Sequence, residues 1–567
     1  MAQESLGGAI DARTRRIDFG NGPGFQREGR LMALAQTVNA GYQMDADVQA
    51  SNEHHRFKVS AMLQQGDDAD FPSGEILPSN YQRERYDIGY GTRWGDHSLQ
   101  FDYGRNDTGD AGTPALAMDI RYFEGDLYTL TYRYSPSGIY DVVASLYGSE
   151  LDHGMSNFHL RPPPPAGMHR RNIATSSNRG FRLQVAREDD AGVWRAGIDG
   201  FREEHDSDVD NPNNPMFFVD NFNSAERRLL GLFVEREHSI SAGLSAEFGL
   251  RINSVRTDAG SVNATPAMIM PPAQSLRDAF NAADRKQADT NVDLVAKFTH
   301  RLGETMTLYA GLAQKQRAPS YQERYLWLPL EATAGLADGQ LYVGDVDLDP
   351  ERSRTAEIGF DYLGERLRLH PRLFYTRIDD YIQGTPLAED DPGAQMVRMM
   401  NAANNTRRPA PLRFTNVEAE LYGLDMDWSW RVGERLEFSG LVNYVRATRR
   451  DVDDNLYRIA PPNVSLRASL QLGSLRAAVE TVVYASQRDI SATNREQPSS
   501  GYGVVNVHGA WQVSPALQLA AGADNLLDRK YAPHLGGYNR VSNPDVIIGE
   551  RLPAQGLNLF ARVLYTF

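Results

Sequence analysis

Alternation of apolar and polar residues with period two runs through most of this chain, and it predicts strands with one oily face and one wet face. The C-terminal stretch carries the pattern most cleanly. Leu557, Leu559, Ala561, Val563, Tyr565 and Phe567 fall on one face, while Asn558, Arg562 and Thr566 fall on the other, with only Phe560 and Leu564 intruding. The pattern returns where Tyr128, Leu130, Tyr132 and Tyr134 oppose Thr129, Thr131 and Arg133, and where Ala356, Ile358, Phe360 and Tyr362 oppose Thr355, Glu357 and Asp361. It returns again where Leu436, Phe438, Val442 and Tyr444 oppose Glu437, Ser439 and Asn443, and where Leu517, Leu519, Ala521 and Ala523 oppose Gln518 and Asp524. A soluble sandwich can hold one such strand. A long series of them is what a membrane barrel needs.

The connections sharpen the prediction. Short turns recur at 94–96, 302–304, 363–365, 432–434, 472–474 and 514–515, most of them around a glycine that supplies the positive φ of a tight hairpin. Segments 51–55, 135–138, 189–192 and 237–243 can serve in the same way. Between the turns lie long polar segments rich in Pro, Asn, Asp and Gly, at 66–82, 149–178, 203–225, 256–289, 314–354, 379–415 and 525–551. Turns alternating with long loops are the mark of an outer-membrane barrel, with turns on the periplasmic side and loops outside. About ten turns, with both chain ends periplasmic, imply roughly 22 strands. The predicted fold class is all-β: a transmembrane antiparallel β-barrel. No blade motif repeats along the chain, which excludes a propeller.

Composition narrows the setting. Hydrophobic residues make up 41% of the 567 and mean hydropathy is −0.50. No apolar run approaches the ~20 residues of a membrane helix. A barrel needs apolar residues only at every second strand position, and 26 Tyr and 22 Phe can furnish its interfacial girdles. Cysteine is absent, which removes disulfides, thiolate metal sites and cysteine nucleophiles. A net charge of −15 argues against nucleic acid as a partner. Met1-Ala-Gln-Glu-Ser-Leu-Gly-Gly has no basic n-region or apolar h-region. A secretory signal is therefore expected in a longer precursor.

The stretch Gln316-Arg-Ala-Pro-Ser-Tyr-Gln-Glu-Arg-Tyr325, followed by Asp345-Val-Asp-Leu-Asp-Pro-Glu-Arg-Ser353 and Glu357-Ile-Gly359, resembles the mid-barrel signature of TonB-dependent receptors. Ala523-Asp-Asn-Leu-Leu-Asp-Arg-Lys-Tyr531 together with the terminal Phe567 resembles that family's C-terminal box, so the resemblance covers residues 30–567. Arg317-Ala-Pro-Ser-Tyr-Gln-Glu-Arg-Tyr-Leu-Trp-Leu-Pro-Leu330 and His534-Leu-Gly-Gly-Tyr-Asn-Arg540 are similar to the copper-receptor branch. The resemblance implies transport rather than catalysis, in the outer membrane of a Gram-negative bacterium, among lipid and lipopolysaccharide. It also implies energy supplied by a TonB–ExbB–ExbD complex, no resident cofactor, and a copper ion as the transported ligand. The family carries a globular plug and a TonB box ahead of its barrel. Here only Ser5-Leu-Gly-Gly-Ala-Ile-Asp-Ala-Arg-Thr14 resembles the last plug strand. The expected division is a remnant of plug end and linker at 1–28 and the barrel at 29–567. A receptor for an iron-siderophore complex and a plugless diffusion pore stand as alternatives.

Candidate chemistry centres on His153 and Met155. Two residues apart on an extended chain, they project from one face. Imidazole with thioether is a soft donor pair that favours copper, Cu(I) in particular, over hard cations. The blander reading is a loop histidine beside a packing methionine. The copper-receptor branch uses a His-x-Met pair in the barrel, completed by Cys and Met from the plug, so the resemblance carries the metal role to His153 and Met155 alone. Met168-His169, Met268/Met270 and Met396/Met399/Met400 lie in predicted outer loops, where they could capture Cu(I) or simply fill packing gaps. Asp206-Ser-Asp-Val-Asp210 opens like a calcium loop but lacks its later Gly and Glu. Val343-Gly344 and Gly536-Gly537 read as turns, and no nucleophile elbow is present.

Overall fold

The computed structural model describes residues 15–136, 140–334 and 336–567. The stretch from Ser5 to Thr14, expected as the last plug strand, lies outside them, as does part of the predicted turn 135–138. Among the described residues the main sheet has 23 strands. One of these, Tyr342–Val343, is a two-residue appendage lying parallel to Leu412 and Arg413. The others, from Gln26–Gln36 to Asn558–Thr566, pair antiparallel around a closed ring, as predicted. The ring is sealed by the first and last strands, with Arg30 opposite Thr566 and Gln36 opposite Phe560. Beyond that ladder the amide of Gly29 donates to the Phe567 carbonyl at 2.7 Å, and the Phe567 amide returns the bond at 3.0 Å. A side chain at Gly29 would run into the Phe567 ring, so glycine lets the two strands close tightly.

The predicted turns fall at one end of the barrel. Gly95, Gly303, Gly433 and Gly473 adopt φ between 53° and 73°, the left-handed region the hairpins demand. Side chains alternate across the wall. Leu146, Leu312 and Ile358 point outward, and each is about three-fifths exposed, a proportion that suits contact with lipid rather than water. Trp94, Trp194, Trp430 and Trp511 also face outward, each within a few residues of a turn, and they form a girdle at that end. Tyr86, Tyr128 and Tyr375 sit outward at the opposite end, their hydroxyls bonded to Glu84, Glu150 and Glu420.

Several strands outrun the bilayer. Arg171–Asp189 and Gly192–Asp210 have 19 residues each and Phe218–Ser241 has 24, against the ~9–11 that cross a membrane. The polar segments 149–178 and 203–225, predicted as loops, are therefore mostly strand, and only 157–170 and 211–217 connect them. The pairing continues upward after the apolar pattern stops, because above the lipid the outer face meets water.

The largest hydrophobic core lies at the loop end of the barrel, where loop residues pack on the inner faces of the strand ends. Val219, Leu328, Met396 and Leu412 are completely buried there, among Phe222, Phe280, Tyr325 and Trp327. Short helices that the strand pattern did not predict, including Pro271–Ala282 and Pro392–Asn404, pack into this cap. The mid-barrel signature is its footing. Ser320 caps the helix Tyr321–Tyr325 with its hydroxyl on the Glu323 amide, and Glu323 reaches back to the Ser320 amide at 2.7 Å. Arg324, buried, bonds Asp289, the Thr257 hydroxyl and the Leu348 carbonyl.

Residues 15–24 thread the lumen before the first strand. Arg16 pairs with Asp102, the Ser51 hydroxyl donates to the Asp18 carbonyl at 2.8 Å, and Phe19 lies between the guanidinium groups of Arg56 and Arg93.

Candidate functional site

His153 and Met155 belong to the strand Tyr140–Ser156, which keeps unbroken register with Arg171–Asp189. Leu146 on that strand faces lipid, so the odd-numbered positions face the lumen, and both His153 and Met155 point inward. Outward-facing Glu150 and Asp152 mark the end of the apolar band, and Glu150 pairs with Arg179 at 3.0 Å. The two candidate donors thus lie above the membrane, on the wall of the vestibule under the loop cap. The same-face prediction holds.

The ladder places their neighbours. Phe123, His153, Ala174, Ser207 and Phe222 form one inward row across five strands. Ile120, Met155, Asn172 and Val209 form the row above, and Leu151, Ser176, His205 and Ala225 the row below. The Phe123 ring meets the His153 ring edge-on at 5.7 Å and fixes its plane. On the other side Ala174 has only a methyl group and leaves space. His153 Nε2 is buried with no hydrogen-bond partner among the described residues. Burial pushes the His153 imidazole below its ordinary pKa, so it stays neutral and keeps a lone pair available.

His205 and Phe123 are residues that sequence reasoning did not single out. His205 sits edge-on to Phe222 at 5.5 Å and tilted against Tyr321 at 4.8 Å, the latter delivered by the helix of the mid-barrel signature. The inward parity of Glu203, His205 and Ser207 on a strand continuing from Gly192 was the signal that could have found it. Burial raises the Tyr321 hydroxyl to about 12, aided by Glu203, so Tyr321 serves as a neutral wall rather than a phenolate ligand.

The remaining candidates separate. Met396 is wholly buried, and Met270 and Met400 pack against the loop core, so these three are packing residues. Met168, Met268 and Met399 are exposed, as is Met216, which the sequence reading passed over. His169 is engaged, stacked on Phe158 at 4.6 Å with its ring nitrogens facing the Pro164 carbonyl and Asn213. Asp206, Asp208 and Asp210 lie along an extended strand rather than a loop, with Asp210 paired to Arg171. The Gly344 amide donates to the Leu326 carbonyl, as a turn residue does. Among the described residues no group of three or more His, Cys, Asp or Glu side chains is placed to hold a metal.

A family model described as TonB dependent receptor-like, beta-barrel, matches residues 63–526. No curated protein sequence matches. Among solved structures, the copper transporter OprC shares the fold with a TM-score of 0.82 and 22% identity, over 98% of this chain and 81% of that one. The FrpB iron transporter from Neisseria meningitidis gives 0.68 and 15% identity, over 95% and 81% of the two chains. A mutant ferric enterobactin receptor, PfeA, from Pseudomonas aeruginosa gives 0.68 and 15%, over 97% and 81%.

Proposed function

Because the chain belongs to the TonB-dependent receptor family of β-barrel transporters, which are not enzymes, we propose that it takes up copper across the outer membrane. The observation that carries this reading is the pair His153 and Met155, on one face of the vestibule wall, with a buried imidazole nitrogen that has no partner among the described residues. Soft nitrogen and sulfur donors select Cu(I) over the hard cations of the surrounding medium. The higher TM-score with the copper transporter than with the iron transporters supports the same choice.

Two donors make a receiving site rather than a tight one. Exposed Met168, Met216, Met268 and Met399 on the outer loops would meet the ion first, and His153 with Met155 would hold it inside. Release toward the periplasm belongs to a plug driven by the TonB–ExbB–ExbD complex. The division into plug end and linker at 1–28 and barrel at 29–567 fits the path of residues 15–24, which run inside the lumen where a plug would sit. The lumen itself is polar at Lys58, Asp47 and Asp102, a surface suited to docking such a domain.

The test is Cu(I) binding by the full chain in detergent, followed by competition with a coloured Cu(I) chelator. Wild type should bind, and His153→Ala with Met155→Ala should abolish it. Equal binding by the double variant, or preference for a ferric chelate, would remove the copper reading.

A further inference from the structure

Near the seam of the ring, the lumen wall carries a hollow that the copper path does not use. Val479, Val483, Trp511 and Val563 face lipid, so the even-numbered residues of their strands turn inward. Arg476, Ala510, Ala520 and Arg562 pair in one inward row across the strands Leu475–Tyr484, Tyr502–Gln512, Leu517–Asp524 and Asn558–Thr566. Ala478, His508, Gly522 and Phe560 form the next row toward the loops. The three alanines floor a hollow of about 250 Å³, and Arg476, Arg562 and Arg467 stand among its walls. Phe560 and His508 close its loop-side edge over Gly522, where any side chain would strike both rings.

The hollow is basic, and the carboxylates near it are engaged elsewhere. Asp524 bonds the His508 ring at 2.8 Å, while Glu480 accepts from Asn506 at 3.2 Å and faces Arg467 at 3.8 Å. Among the described residues no carboxylate lies within ion-pair distance of Arg476 or Arg562. Arg562 Nε is buried and has no hydrogen-bond partner among them. A buried donor on a charged group is costly to leave unmet, so it marks a place for an acceptor. Three strand spacings of ~4.8 Å put the Arg476 and Arg562 Cα atoms roughly 14 Å apart. An extended arginine reaches roughly 7 Å from Cα to its terminal nitrogens, at ~1.5 Å per bond. Leaning over the alanines from either side, the two forks meet an anion between them. Arg467, already facing Glu480, adds field rather than a contact.

We infer that this hollow binds a small oxyanion, a phosphate or a carboxylate, gripped by Arg476 and Arg562. A guanidinium meets either group with two parallel N–H···O bonds, a match of shape as well as charge. The hollow lies toward the turn end of the lumen, because Arg476 follows the turn at 472–474 and Arg562 stands close to the C-terminal Phe567. Two sources can supply such a group there: a free anion from the periplasm, or an acidic side chain of a domain seated in the lumen. Once filled, the hollow no longer repels a cation passing through, as two bare guanidiniums would. The inference stands apart from His153 and Met155, and the failure of either leaves the other intact.

Calorimetry on the full chain in detergent and chloride-free buffer tests the assignment, with inorganic phosphate and N-acetylglutamate amide as separate titrants. Wild type should bind at least one of them saturably, at one site per chain. Arg476→Gln and Arg562→Gln should each weaken that binding by about 10-fold or more, as loss of a hydrogen bond to a charged group does. Arg301→Gln makes the same charge change on the far side of the ring and should leave binding as it was. Tighter phosphate would name a free anion as the occupant, and tighter glutamate amide an acidic side chain; both support the site. No saturable binding by wild type, binding untouched in Arg476→Gln or Arg562→Gln, or an equal loss in Arg301→Gln would overturn it. Heat-modifiable gel mobility confirms that each variant is a folded barrel.

Discussion

Arg317 donates to Glu351 at 2.6 Å and to Glu323 at 2.9 Å, so a single guanidinium joins two motifs that the sequence keeps apart. Glu351 in turn accepts the Ile382 amide at 2.9 Å, which carries the connection to the next strand. The arrangement is a hub at the root of the loop that covers the vestibule.

Arg317→Ala should therefore loosen that loop without opening the barrel. Removing one partner of a fully buried ion pair costs ~3–5 kcal/mol; Arg317 is only half-buried, so the loss should fall below that range, with buried Glu351 left without its cation. Limited proteolysis should cut within 318–350 in the variant and not in wild type, while heat-modifiable mobility is retained. Equal protection of both proteins would refute the hub.

Acid should imitate the substitution. Burial alone would raise the Glu323 carboxyl, but hydrogen bonds and charge from Arg317, with the Ser320 amide, outweigh it and hold the group below the usual carboxylate range. A depressed folded pKa gives stability that is complete above the unfolded value and is lost as pH falls through the folded one. The protection factor of the Glu323 amide against hydrogen exchange should fall below about pH 4.3, the ordinary glutamate value. Arg317→Ala should flatten that dependence.

Neighbouring positions on one strand should respond oppositely to the same charge. Leu312 faces lipid near the middle of its strand and Ala313 faces the lumen. Leu312→Arg should cost about 2–4 kcal/mol in urea unfolding from vesicles, the midplane value for a lipid-facing arginine. Ala313→Arg should change it by about 0.5 kcal/mol or less, as at a wet surface. Similar losses at both sites would contradict the lipid-facing assignment.

Copper binding should be insensitive to mild acid. A ligating imidazole must be neutral, and burial keeps His153 neutral below the ordinary histidine value near 6.5. Cu(I) affinity should stay flat as pH falls through 6.5 and decline only beneath it. A midpoint at the ordinary value would mean that an exposed histidine carries the binding.

Much of this architecture was legible because a lipid-facing barrel needs alternation, and alternation is visible in one dimension. The Leu557 to Phe567 pattern, the glycine turns and the approximate strand number all follow from it. Where that force stops, legibility stops too. Glu150, Asp152 and Arg179 continue the ladder above the membrane with polar residues outside, so the strand there reads as loop. The helices of the cap are short, and their apolar residues serve a core shared among distant loops. That His153 and Met155 share a face could be read because spacing two is a strand property. The place of His205 could not, because its nearness to His153 arises from register between strands more than fifty residues apart in sequence.

The seam at Arg30–Gln36 and Phe560–Thr566 has a consequence for biogenesis. The strand made first waits for the one made last, so no intermediate of synthesis is a smaller finished cylinder. Until the final residues arrive, two raw hydrogen-bonding edges stay open to any passing chain. A periplasmic escort must keep the polypeptide from sticking to its neighbours, and loss of the terminal strand would yield aggregate rather than a narrower ring.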